Sequence, residues 1–155
     1  MTHKDKWSTE DFDEMSWHDV HVHAFQIVQN DGNNGTADLV FDIDYILEWR
    51  KDSGAFNFVV AQARLRFHEA ADLKLSLDYV QNSAGMCAFS IDGIDRERIT
   101  FVNGNTSYKW KMQINWPSGF VEFRSPGFTQ MTVGEHHLQS SQWLVPSRRK
   151  SLSAA

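Results

Sequence analysis

Three histidines fall within six residues of the stretch SWHDVHVHAF, at positions 18, 21 and 23, and the stretch DLVFDIDYIL carries Asp42 and Asp44 two residues apart. In an extended chain, residues two apart point to the same face. His21 and His23 therefore share a side, as do Asp42 and Asp44. Imidazole and carboxylate groups brought together can share a proton, and two of each form an N2O2 set suited to zinc or another divalent cation. That set is His21, His23, Asp42 and Asp44.

Two other places invite chemistry and offer less of it. Cys87, the sole cysteine, sits in GMCAFSI among apolar neighbours with no local base to activate it, so a core thiol is expected. His136 and His137 are adjacent, point to opposite faces of a strand, and read as surface. The phosphate-cradling GxxxxGK[ST], the GxSxG elbow, HExxH and CxxC are all missing from the sequence. With no catalytic signature, the question of enzymatic activity leans towards no.

The elements that must position the four residues are strands. Leu39, Phe41, Ile43, Tyr45 and Leu47 alternate with Asp42, Asp44 and Glu48; Leu73, Leu75, Leu77 and Tyr79 alternate with Lys74, Ser76 and Asp78. Tyr108, Trp110, Met112, Ile114 and Trp116 alternate with Lys109, Lys111, Gln113 and Asn115. The lysines of YKWKMQINW thus face away from its aromatics, which excludes a base-stacking platform. NDGNNG at 30–35, DG at 92–93 and NGN at 103–105 supply turn residues that tolerate positive φ. A four-residue loop from Pro117 to Phe120 would set Trp116 opposite Val121 and Ile114 opposite Phe123. AQARLRFHEAAD at 61–72 is composed like a helix but alternates like a strand, and strand is expected, with a helical turn near Glu69.

If the NDGNNG turn joins the strand through His23 to the strand through Asp42, setting Val20, Val22 and Ala24 against Leu39, Phe41 and Ile43 requires an odd register sum. The same register sets His21 and His23 among Asp42 and Asp44, with opposed Cβ atoms about 4.5–5.5 Å apart. Trp17, Asp19 and Phe25 share the histidine parity. A face that mixes aromatic and polar groups in this way suggests cover by another chain, a terminal segment or a ligand. Solvated polar side chains on an ordinary ribbon remain the plain alternative, because HxH and DxD are common in strands.

The expected fold is all-β and mainly antiparallel, a single-domain β-sandwich or closed barrel of about eight or nine strands with little helix. Residues 1–15 form a loosely attached N-terminal segment, 16–145 the β domain, and 146–155 a flexible tail, basic and then small-residue. The 155 residues carry a formal charge of −5, which opposes nucleic-acid binding, and no run of 18 apolar residues suggests a membrane span. One cysteine and the absence of a signal-type apolar start suggest a cytoplasmic protein.

At WHDVHVHAF, DLVFDIDYILEW and INWPSGFVEFRSPGFTQ the chain resembles small uncharacterised bacterial proteins of a domain-of-unknown-function type. The resemblance implies a bacterial cytoplasmic origin and no activity, cofactor or catalytic residue. Three function classes follow from the residues themselves. The first is a non-enzymatic binding or protein-interaction domain that uses Trp17, Asp19, His21, His23 and Phe25 towards another protein or a second copy. The second is a divalent-metal-binding protein or metal-dependent enzyme using the His/Asp cluster. The third is a barrel that holds a small apolar or sugar ligand.

Overall fold

The computed structural model describes residues 3–32, 34–80 and 85–151. Among these residues nine strands form one antiparallel sheet: β1 (Lys6–Ser8), β2 (His21–Gln29), β3 (Ala37–Asp52), β4 (Ala55–Asp78), β5 (Phe89–Thr100), β6 (Thr106–Trp116), β7 (Ser118–Ser125), β8 (Gly127–Thr132) and β9 (His137–Gln139). Its pairings run in a ring, β4 to β3 to β2 to β5 to β6 to β7 and back to β4. An all-β, single-domain, barrel- or sandwich-like fold is the result, as the alternation requires. Among the described residues no helix is long and apolar enough to cross a membrane.

The ring closes through the 24-residue β4. One edge of it pairs with β3, and the other is shared in sequence by β9, β8 and β7. Such sharing needs a bend, and Glu69 (φ 46°) and Asp72 (φ 56°) supply it beside a register shift between Ala71 and Lys74. The helical turn expected near Glu69 is therefore a left-handed kink within a continuous strand. β3 turns into β4 at Ser53 and Gly54, both with positive φ, as a two-residue type I′ hairpin requires.

Inside the ring, small residues face large ones: Tyr45 is paired with Ala61 and Ile43 with Ala63. Phe67 lies at the centre, its ring 4.6 Å from Phe123, 5.1 Å from Trp110 and 6.0 Å from Phe41. Bulky inward side chains with alanine opposite let the layers interdigitate.

Three expectations are corrected here. DG at 92–93 does not turn the chain; β5 passes through it with a bulge as one continuous strand. The loop from Pro117 to Phe120 is tighter than its residues suggest: the peptide bond between Trp116 and Pro117 is cis, and Ile114 pairs with Gly119 and Trp110 with Phe123. Gly119 and Phe120 are drawn into β7 because β4 bonds them from the other side, at Leu77 and Ser76. Cys87 lies at the surface rather than in the core.

The closure at Gly119 leaves no room for a side chain, since a Cβ there would lie 2.1 Å from the carbonyl oxygen of Ser76. Backbone must move to accept it, so Gly119→Ala is expected to lower stability by about 1–3 kcal/mol in urea titration. An unchanged midpoint would mean the ring does not close here.

Residues 6–14 are tied down more firmly than a loosely attached segment would be. β1 pairs with β8, and Thr9 Oγ1 accepts the Phe128 N–H at 2.8 Å. Phe12, in the 3-10 turn Thr9–Glu14, packs its ring 5.4 Å from that of Trp110 and lies under the Arg96 guanidinium. Residues 146–151, read from sequence as a flexible tail, also lie against the sheet, in a place that bears on function.

Candidate functional site: a polar face under the C-terminal segment

β2 and β3 pair in the register that the apolar pattern demands, with His21 opposite Asp44 and Val22 opposite Ile43. His23 Nε2 lies 2.7 Å from Asp44 Oδ2. His21, His23, Asp42 and Asp44 therefore do share the outer face. β4 extends the row, because Gln62 stands beside Asp44 and Arg64 beside Asp42.

Trp17 and Phe25 do not belong to this face, for two separate reasons. Trp17 precedes a turn at Asp19 (φ 63°) and is 3% exposed in the core, where its indole N–H donates to Gln130 Oε1 at 2.8 Å. Phe25 follows a bulge between Val22 and Ala24 that shifts the register by one. A one-residue slip exchanges the two faces of a strand. Phe25 and Ile27 accordingly lie opposite Phe41 and Leu39, on the inner side. The mixed aromatic-polar face of the sequence is two faces joined at a kink.

What covers the histidines and aspartates is the chain's own C-terminal segment, residues 139–151. The Leu144 N–H donates to Asp44 Oδ2 at 2.9 Å, and the Leu144 side chain is buried. Gln62 is gripped at both ends of its amide: Nε2 donates to Lys150 O at 2.8 Å and Oε1 accepts the Lys150 N–H at 2.6 Å. The same Nε2 donates to Asp42 Oδ1. Nearer the start of the segment, Gln142 donates to Asp19 Oδ2 at 3.0 Å, and the Trp143 ring lies 5.0 Å from the His21 ring. A 3-10 turn at Pro146–Arg148 then brings the chain back over the sheet.

Arg149 completes the arrangement. Its guanidinium reaches Asp42 Oδ1 at 2.6 Å with one terminal nitrogen and Asp44 Oδ1 with the other. The Arg149 side chain is 8% exposed and that of Asp44 fully buried. A planar guanidinium can satisfy two carboxylates through separate N–H groups, which an ammonium does less well.

The charges at this site constrain the histidines. Burial holds His23 below its ordinary value, at about 4; the Arg149 guanidinium pushes the same way and Asp42 opposes. Burial also lowers His21. Both rings are therefore neutral at pH 7, and His23 can donate its Nε2–H to Asp44. As pH falls from about 6.5 towards 4, the unfolded chain takes up these protons before the folded one, so stability present above that window is lost within it. The urea midpoint is expected to be lower at pH 5 than at pH 7, and a His21→Asn, His23→Gln double variant to flatten the difference. If that variant keeps the wild-type slope, the histidines are not its source.

The N2O2 metal expectation does not fit this geometry. The two carboxylates already hold a guanidinium, and among the described residues no group of three or more His, Cys, Asp or Glu side chains is arranged to hold a metal ion. Arg149, Gln62 and Leu144 are the residues that sequence reasoning missed. The only available signal was complementary charge, SRRK near the end against FDID in the middle.

Fold and face together define a small closed antiparallel β domain whose polar outer row clasps an arginine-bearing segment. Compared with known proteins, the chain matches no family model, no curated protein and no solved structure.

Proposed function

We propose that this chain is a non-enzymatic binding domain whose face at His21, His23, Asp42, Asp44 and Gln62 receives an extended, arginine-bearing segment of a partner protein. In the isolated chain its own C-terminal segment fills the place. The supporting observation is the clasp itself: one guanidinium between two carboxylates, with a glutamine amide reading the backbone beside it. A buried ion pair is a poor device for stability alone, because desolvation offsets most of the attraction, and its best-attested use is specificity. The segment has one well-buried apolar anchor, Leu144, while Trp143 and Val145 stay about half exposed, so polar contacts hold it. A segment held in this way can be exchanged. The net charge of −5 favours approach of a basic partner. A single cysteine at the surface suits a reducing, cytoplasmic setting, and a bacterial origin accords with the resemblance noted above.

The experiment uses a fluorescein-labelled peptide of residues 140–151 and the full-length chain. Arg149→Glu adds a third carboxylate to the slot and expels the resident segment. That variant is expected to bind the peptide at least tenfold more tightly than wild type in fluorescence anisotropy. Adding Asp42→Asn and Asp44→Asn should abolish the gain, and a peptide with lysine at the position of Arg149 should bind more weakly. Equal affinity of wild type and Arg149→Glu for the peptide would sink the proposal.

A further inference from the structure

Past the bulge that turns Phe25 and Ile27 inward, the far edge of β2 has no strand beside it among the described residues. β5 pairs with β2 only at His21 and Val22, so from Ala24 to Gln29 no strand among the described residues bonds that edge. Inward-facing apolar side chains are left uncovered there: Phe25 is 37% exposed and Ile27 53%, with Leu73 at 37% on the neighbouring bend. Between them lies a cavity of about 500 Å3 among β2, β3 and β4, walled by Ile27, Leu39 and Leu73, with Gln29, Thr36 and Asp72 among its polar lining. That volume falls within the range of small-molecule sites.

The wall is fixed rather than soft. Asp38 accepts the Glu69 N–H at 3.0 Å with one oxygen and the Arg66 Nε–H at 2.7 Å with the other, which pins the kink in β4. Asp72 is held at φ 56° in the next turn of the same bend. Non-glycine residues adopt this region seldom, aspartate more readily than most, and persist there where the surroundings over-determine them. Among the described residues that line the cavity, Asp72 is the only charged one. Its partner Arg124 lies 3.5 Å away, and both are substantially exposed, so the pair is weak and its carboxylate can turn to a ligand.

We infer that this cavity binds a small amphipathic cation, with an apolar chain laid against Ile27, Leu39 and Leu73 and an ammonium group at Asp72. The site is separate from the His/Asp face and stands or falls without it. A neutral chain of the same length would gain the apolar contact alone, and a carboxylate would meet Asp72 with like charge.

The probes are n-decylammonium, n-decanol and n-decanoate, each below its micellar range, titrated by calorimetry into the full-length protein. Decylammonium is expected to bind at least tenfold more tightly than decanoate, with decanol between them. Asp72→Asn, which asparagine tolerates at this φ, should remove the preference for the cation while leaving decanol binding unchanged. Ile27→Arg, at a position exposed enough to spare the fold, should abolish decylammonium binding. Equal binding of all three probes to wild type, or decylammonium binding that Ile27→Arg leaves intact, would overturn the assignment. Neither result touches the Arg149 clasp.

Discussion

Exchanging Arg149 for methionine is expected to cost about 3 kcal/mol in equilibrium urea unfolding, because two buried carboxylates then lose the guanidinium that bridges them. The loss has a ceiling. The C-terminal segment can lift away and let Asp42 and Asp44 rehydrate, so the cost cannot exceed what the segment contributes to the fold. Adding Asp42→Asn and Asp44→Asn to Arg149→Met should recover most of it, since amides and a thioether of similar size leave no charge to strand. Full additivity of the three changes would argue that the groups do not interact.

Phe67→Ala is expected to cost about 3–5 kcal/mol, the range for deleting a fully buried aromatic ring. Phe67 touches the rings of Phe41, Trp110, Phe123 and Phe128, which come from β3, β6, β7 and β8, so its removal opens a cavity where four strands meet. Against a total of about 5–15 kcal/mol, such a loss leaves the domain near its unfolding threshold at 37 °C. Val121→Ala, at one wall of the same core, should cost less, in proportion to its smaller volume. A loss under 1 kcal/mol for Phe67→Ala in a denaturant titration would contradict a ring packed around this residue.

Much of the frame was legible from period-two alternation. Leu39, Phe41, Ile43 and Tyr45 line the inside as their spacing demands, and the odd register between β2 and β3 follows from matching them to Val20 and Val22. Two kinds of feature were not legible. One is irregularity: the bulge at His23 and the turn at Asp19 reverse the facing of Phe25 and Trp17, and nothing in WHDVHVHAF marks where the alternation breaks. The strand pattern continues through the bulge, so a reader counting by twos carries the wrong parity forward. The other is long-range docking. Arg149 lies over one hundred residues from Asp42 and Asp44, in a segment whose composition resembles a solvated tail. Its partners are set by where the ring places them, and local periodicity carries no such information. Cover by a terminal segment was inferable from the mixed face, although the aromatics that suggested it turned out to lie elsewhere.

Amide hydrogen exchange of the full-length chain at pH 7 tests the clasp most directly. Leu144 and Lys150 sit in a segment with little regular structure, yet their N–H groups donate to Asp44 Oδ2 and Gln62 Oε1. Both are expected to exchange at least a hundredfold more slowly than in an unstructured peptide, and to lose that protection together in the Arg149→Glu chain. Exchange at the unstructured rate in wild type would mean that the segment does not occupy the His/Asp face.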